Sequence, residues 1–309
     1  MALIDILADL KLWVVIGIIA GLLVGSIGDS AATIIIIVLI IQMSVSFEGL
    51  SFKRKDMREY SRPIVLGIVC CFFVNSGATL LLGSLFIPTS TAIWYGWVMV
   101  AAVPSAVSVV SASLYLKGDT KATVLMTSSI YLAALAITPL ISWTFTGSAV
   151  SPLEILKYIL LFILIPLFAS QLFKRFKLPN KGKIIFINIM LSILLFLALG
   201  VNREYIFGQP DIIIWIIVVC FIKTFVIATI MLYLLRRKGT DRDMGMIYIL
   251  FSVWKNTGMA TSLSLVLLPG MAGAAIPGAI SLIVESIWFS AFISYSERMW
   301  PREENSVTA

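Results

Sequence analysis

Apolar runs of about 20 residues follow one another along the whole chain, separated by short polar or Gly/Pro joints. A bilayer core about 30 Å thick needs roughly 20 mostly apolar residues per spanning helix. By that ruler the sequence divides into ten segments, near 11–27, 31–50, 63–86, 92–116, 121–145, 153–173, 184–201, 211–235, 244–266 and 272–296. The joints are GDS, SFKRKDMREYSRP, FIPTST, KGDTK, TGSAVSP, KRFKLPNKGK, NREYIFGQP, RRKGTDRD and LPGMAG. With five segments in each half, the second half enters the membrane from the opposite face, the layout of an inverted repeat in secondary transporters. The expectation is an all-α membrane protein of ten transmembrane helices, with one five-helix repeat in 1–150 and its inverted counterpart in 151–309.

Segments 4 and 9 are each interrupted near the middle, by AAVPSAVS and by KNTG. Pro104 removes a backbone hydrogen bond and clashes with the preceding turn, while Asn256 and Gly258 are poor helix formers at the matching place in the second half. Either interruption alone reads as an ordinary kink or as close packing by small residues. Paired in both halves, they point to one feature.

Composition agrees with the pattern. Hydrophobic residues make up 60% of the chain and charged ones 13%, with a mean hydropathy of +1.04, and a soluble domain this apolar would have nothing to cover its surface. The cations test the segmentation independently, because cytoplasmic loops carry the Lys/Arg excess. Alternate joints hold Lys53, Arg54, Lys55, Arg58 and Arg62; then Lys117 and Lys121; then Lys174, Arg175, Lys177, Lys181 and Lys183; then Arg236, Arg237, Lys238 and Arg242. Lys11, Arg298 and Arg302 join them, while the opposite side has only Lys157 and Arg203. An inner-membrane protein with both termini cytoplasmic is expected. The net charge of +7 is therefore a topology signal and does not point to nucleic acid. The first apolar stretch lacks a basic leader and a small-residue cleavage site, so no cleavable signal peptide is expected.

Residue usage removes several chemistries. There is no histidine, which excludes His-based triads, His zinc sites and imidazole proton relays. Cys70, Cys71 and Cys220 fall inside predicted helices and read as buried apolar thiols. No Walker motif, GxSxG or metal-spaced carboxylate cluster appears. Neither an enzyme, a cofactor nor a bound metal is expected.

Three ionisable residues sit deep in apolar segments: Lys223, Lys255 and Glu285. Charges at mid-bilayer are costly and mark functional sites by default. At 1.5 Å per residue, Lys255 lies about 16 Å into segment 9, and Lys223, Glu285 and Pro104 come out at similar depth. Three roles compete. Lys255 and Glu285 form a permanent salt bridge, with Lys223 capping backbone carbonyls; or burial loosens a proton on Lys255, coupling transport to protons; or Lys255 or Lys223 pairs with an anionic substrate. Ser105, Ser108, Ser111 and Thr257 are hydroxyl donors near the interruptions, although each can equally bond its own helix. Trp254 and Trp288 flank the charges and read first as packing.

The segment IIQMSVSFEGLSFKRKDMREYSRPIVLG resembles the helix 2 to helix 3 passage of the bile acid:sodium symporter superfamily. VPSAVSVVSASLYLKGDTKATVLMTSSIYLAALAITPLI is similar to its helix 4 to 5 passage, with Pro104, Gly118, Thr127, Thr138 and Pro139 in matching places, and WKNTGMATSLSL resembles its helix 9 crossing through Asn256 and Gly258. The resemblance implies a panel domain of helices 1, 2, 6 and 7, and a core domain of helices 3–5 and 8–10. It also implies that helices 4 and 9 unwind and cross at mid-membrane, with an organic anion bound beside the crossing.

The departures concern sodium. Sodium-coupled members use a Gln on helix 3, a Ser-Asn pair on helix 4, hydroxyls on helix 5, and a Glu and a Gln on helix 9; the aligned residues are Cys71, Val109 and Val110, Thr123 and Thr127, Phe251 and Lys255. Only the remnant hydroxyls Thr123 and Thr127 survive. A hard cation wants oxygen ligands, and a lysine ammonium repels it. The expectation is a secondary transporter of a small carboxylate or sulfonate, with Lys255 substituting for bound sodium and the cycle proton-coupled or uncoupled. Its partners are the bilayer, the anion and protons, with sodium doubtful. The alternatives are a sodium-coupled symporter with relocated ion sites, and a sensor or channel on the same scaffold.

Overall fold

Each apolar segment folds as helix. The computed structural model describes residues 6–28, 30–50, 54–173, 179–271 and 273–301. In chain order the main helices are α1 (Leu10–Val24), α2 (Ala31–Ser46), α3 (Ser61–Phe86), α4a (Thr91–Ala102), α4b (Val109–Tyr115), α5 (Thr120–Thr146), α6 (Pro152–Phe173), α7 (Asn180–Val201), α8 (Pro210–Arg237), α9a (Arg242–Val253), α9b (Thr257–Leu267) and α10 (Ile276–Met299). Short helices Arg54–Glu59 and Arg203–Gly208 precede α3 and α8. No strand forms among the described residues.

Length decides which helices can span. α3, α5, α6, α7, α8 and α10 are long and apolar enough to cross a membrane; α1, α2, α4a and α9b are apolar but shorter. Their outward faces carry Leu23, Phe73, Leu153, Phe168 and Trp215, all largely exposed, a surface that lipid covers and water does not.

Without a hydrophobic drive between helices in lipid, close association relies on small residues. α1 lies along α7 in this way. A Cβ on Gly17 would stand 2.6 Å from the Ser192 carbonyl oxygen, and one on Gly21 would stand 2.8 Å from that of Phe196. α2 packs on α6 and α7, whereas α3, α4a and α5 pack together and α8 packs on α9a and α10. The two sets meet where α9b touches α2, α6 and α7, and where α10 touches α1 and α7.

Polar contacts tie joints together at each end. Lys121 pairs with Asp56 at 3.3 Å, and Lys183 pairs with Glu48 at 2.8 Å. Arg242 donates to the carbonyls of Leu116 and Trp300. The cation-rich joints before α3, α5 and α9a thus share one end with the end of α10. At the other end the Gly273 N–H donates to the Asn202 side chain, after α7. Lys53, Lys174, Arg175, Lys177 and Arg302 lie outside the described residues.

Two features went unforeseen. α3 and α8 each widen into a π-helical turn, Val69–Asn75 and Ile222–Val226. Such turns insert an extra residue and commonly mark functional sites. Both carry residues of the polar interior described next.

Candidate functional site

The interruption in segment 4 spans residues 103–108, and that in segment 9 spans 254–256. The two stretches run past each other as an antiparallel bridge between Ser105 and Lys255. The Asn256 N–H donates to the Pro104 carbonyl at 2.8 Å, and the Ala106 N–H donates to the Trp254 carbonyl at 3.4 Å. A broken helix leaves backbone groups that must find partners in a buried setting, and here each break satisfies part of the other.

The end of α4a accounts for its carbonyls one by one. Ala101 O accepts from the Ser76 hydroxyl at 2.6 Å and from Lys255 Nζ at 3.1 Å. Ala102 O accepts from Thr138 Oγ1 at 2.7 Å, and Val103 O accepts from Lys255 Nζ at 2.8 Å. Pro104 O takes the Asn256 N–H. Lys255 is fully buried. Its ammonium also donates to Ser76 Oγ at 2.9 Å and to Cys71 Sγ at 3.6 Å, and lies 4.7 Å from the centroid of the Phe72 ring. A cation at a helix C-terminus complements the negative end of the helix dipole, so Lys255 is an internal cap for α4a.

Glu285 pairs elsewhere. Its Oε1 accepts from Lys223 Nζ at 2.7 Å with both side chains fully buried. This reverses the pairing in the first of the three roles considered for these residues: Lys255 caps the carbonyls, and Lys223 forms the ion pair. The three charges remain electrostatic neighbours. Nearby, the Cys220 thiol and the Ser281 hydroxyl are hydrogen-bonded at 3.4 Å.

A cavity of about 90 Å³ opens between the two sets of helices beside the crossing. Its polar lining includes Gln42, Ser46, Ser108, Asn188, Asn256 and Thr257. Asn256 caps α9b through the Met259 N–H at 3.1 Å and donates to Tyr131 Oη at 2.8 Å. Thr257 is buried, with no partner for its hydroxyl. Lys255 contributes to the wall, but Cys71, Ser76, Ala101 and Val103, which hold its ammonium, do not. Neither that ammonium nor the one of Lys223 therefore faces an occupant of the cavity, contrary to the substrate-pairing role considered for them.

A sequence model of the Sodium Bile acid symporter family matches residues 33–209, more than half of the chain. The chain belongs to this family of membrane transporters. No curated protein matches it. The family match ends before α8, so Lys223, Lys255 and Glu285 all lie beyond it.

Cys71, Val109 and Phe251 are buried within one apolar cluster. Thr123 spends its hydroxyl on the Asp119 carbonyl at 2.8 Å, and the Thr127 hydroxyl is buried without a partner. Cys71 and Lys255 meet directly. Of the remaining candidates, Pro104, Ser105 and Gly258 stand at the crossing. Ser105 is buried with its hydroxyl unpartnered, and Gly258 lines the cavity together with Ser108. Ser111 is exposed on α4b, away from the cavity. Trp254 and Trp288 pack edge-to-face at 6.4 Å, and Trp254 also lines the cavity. The sequence reading missed Ser76, Gln42 and Asn188, and gave Thr138 as a matching position without a role. The signal for Ser76 was the pair Asn75-Ser76, two polar residues in the middle of an apolar segment.

Proposed function

We propose that this family member is a secondary transporter of a small organic anion that does not use sodium at the family's usual sites, the Lys255 ammonium standing where a coupling cation would bind. The observation that carries this reading is the oxygen set around Lys255 Nζ: the Ala101 and Val103 carbonyls and the Ser76 hydroxyl. Oxygens at a helix C-terminus suit a hard cation, and the position is already filled by a charge that belongs to the chain. The apolar packing of Val109 and Phe251 supports the same conclusion for the second position.

In this reading the chain crosses the inner membrane ten times, with both termini cytoplasmic. The repeats are 1–150 and 151–309, the panel is α1, α2, α6 and α7, and the core is α3–α5 and α8–α10. The paired π-turns in α3 and α8 and the paired breaks in segments 4 and 9 support the repeat. The anion binds in the cavity against the N-terminus of α9b, where the helix dipole favours negative charge. The unpartnered Thr257 hydroxyl and the amides of Gln42 and Asn188 supply further donors. Pockets for drug-sized ligands run to roughly 300 Å³ and above, so a cavity of about 90 Å³ favours a compact carboxylate or sulfonate.

Uptake of a panel of small carboxylates and sulfonates into proteoliposomes, under a sodium gradient, a proton gradient or neither, tests this. Sodium-independent uptake that is lost in Lys255→Ala is expected. Sodium-dependent uptake that survives that substitution would sink the reading.

A further inference from the structure

Glu285 has one oxygen in an ion pair and one without a side-chain partner. Oε1 takes the Lys223 ammonium at 2.7 Å, Oε2 is buried with no hydrogen bond of its own, and the Lys255 backbone N–H also faces the carboxylate. No other carboxylate among the described residues is fully buried. A buried anionic oxygen short of donors is costly to keep, and on α10 Glu285 sits next to residues of the cavity wall without lining it itself. Leu282 and Ser286, which flank Glu285 on the helix, both line the cavity wall.

We propose that Glu285 is the proton-binding site of the transport cycle, its Oε2 taking up a proton when an organic anion occupies the cavity, so that anion and proton move together. The inference rests on the transport reading above and adds the coupling ion to it. The step balances simply. A proton delivered by water from the cavity bonds to Oε2, the carboxylate becomes a carboxylic acid, and Oε1 continues to accept from Lys223, which keeps its three protons.

The charges around Glu285 set the coupling. The ionised groups that face it are the Lys223 ammonium from α8 and the Lys255 ammonium from the crossing, and the Cys220 thiol is the other titratable neighbour from α8. With Glu285 ionised the two lysines and the carboxylate sum to one positive charge, and protonation raises the sum to two. An anion in the cavity restores it to one, so each ligand raises the affinity for the other, as linkage requires. The Lys255 ammonium is engaged by Ser76 Oγ and two carbonyls, whereas Glu285 Oε2 makes no hydrogen bond.

The test needs no known substrate. In pH-difference infrared spectra of the reconstituted full chain, the C=O band of a protonated buried carboxyl should grow as pH falls and be missing in Glu285→Gln. Should that variant not fold because it strands Lys223, the double variant Lys223→Met/Glu285→Gln removes both charges and carries the same expectation. A band that persists in the variants, or is absent from the native chain, overturns the assignment. In proteoliposomes an inward proton gradient should stimulate uptake of the anion with the highest uptake in the panel in the native chain and not in Glu285→Gln. Stimulation that persists overturns it too. If no anion is carried while the infrared band titrates, the transport reading fails and the proton site stands; transport without the band gives the reverse.

Discussion

Lys255 Nζ stands 2.8 Å from the Val103 carbonyl oxygen, at the break that ends α4a. A side chain from the break in segment 9 thus closes the hydrogen bonding of the break in segment 4, and the two breaks hold as one unit. Removing the ammonium orphans Val103 O and takes one of the two donors of Ala101 O, and a buried unsatisfied acceptor costs about 1–3 kcal/mol. Lys255→Ala should therefore unfold at clearly lower temperature than the native chain in a detergent thermal melt. Sodium should partly restore that temperature in the variant, since the vacated oxygens suit a cation, and leave the native chain unmoved. Equal sodium response in both proteins would count against Lys255 as a cation surrogate.

The Lys223–Glu285 pair should behave as a buried ion pair in a double-mutant cycle. Lys223→Met leaves an uncompensated carboxylate and should cost about 3–5 kcal/mol, most of which is recovered by adding Glu285→Gln. Chemical unfolding of the two single variants and the double variant measures the coupling. Simple additivity would show that the pair seen at 2.7 Å contributes no interaction energy.

Thr257→Val separates binding from folding. The hydroxyl has no partner and valine keeps the shape, so stability should stay within about 0.5 kcal/mol, as for substitutions away from such networks. Anion uptake should fall several-fold through a raised apparent KM. Unchanged uptake would remove Thr257 from the binding site.

The α1–α7 seam gives a packing prediction. Gly17→Ala places a methyl carbon where the Ser192 backbone oxygen stands only 2.6 Å away, and backbone cannot rotate aside as a side chain can. Overpacking of this kind costs about 1–3 kcal/mol. Gly77→Ala is the control, because nothing lies within 4 Å of its added Cβ. A melt in which both variants match the native chain would argue that the helices are further apart than described.

The helical segments were legible because bilayer thickness and the 20-residue apolar run are the same constraint seen twice. Pro104 and the Asn256–Gly258 stretch marked the breaks for an equally local reason: each disfavours continued helix whatever surrounds it. Partner choice was not legible. Lys223 and Glu285 are 62 positions apart, and Lys255 is 154 positions from Ala101, so which ammonium meets which acceptor depends on helix rotation that no apolar run encodes. The π-turns escaped for a related reason. VCCFFVN and IKTFV have nothing against ordinary α-helix, and only the pull of Ser76 towards Ala101 and of Lys223 towards Glu285 gives the extra residue something to do.

Because the Lys255 ammonium is bonded to the chain that carries it, its charge comes back whenever the protein resets. A bound ion is delivered and left behind, adding to the current across the membrane; a tethered one contributes at most a transient displacement. Whatever steady current accompanies turnover here is therefore the sum of cargo charge and any mobile proton, so a monovalent anion carried with one proton leaves the membrane voltage without a direct hold on the direction of flow.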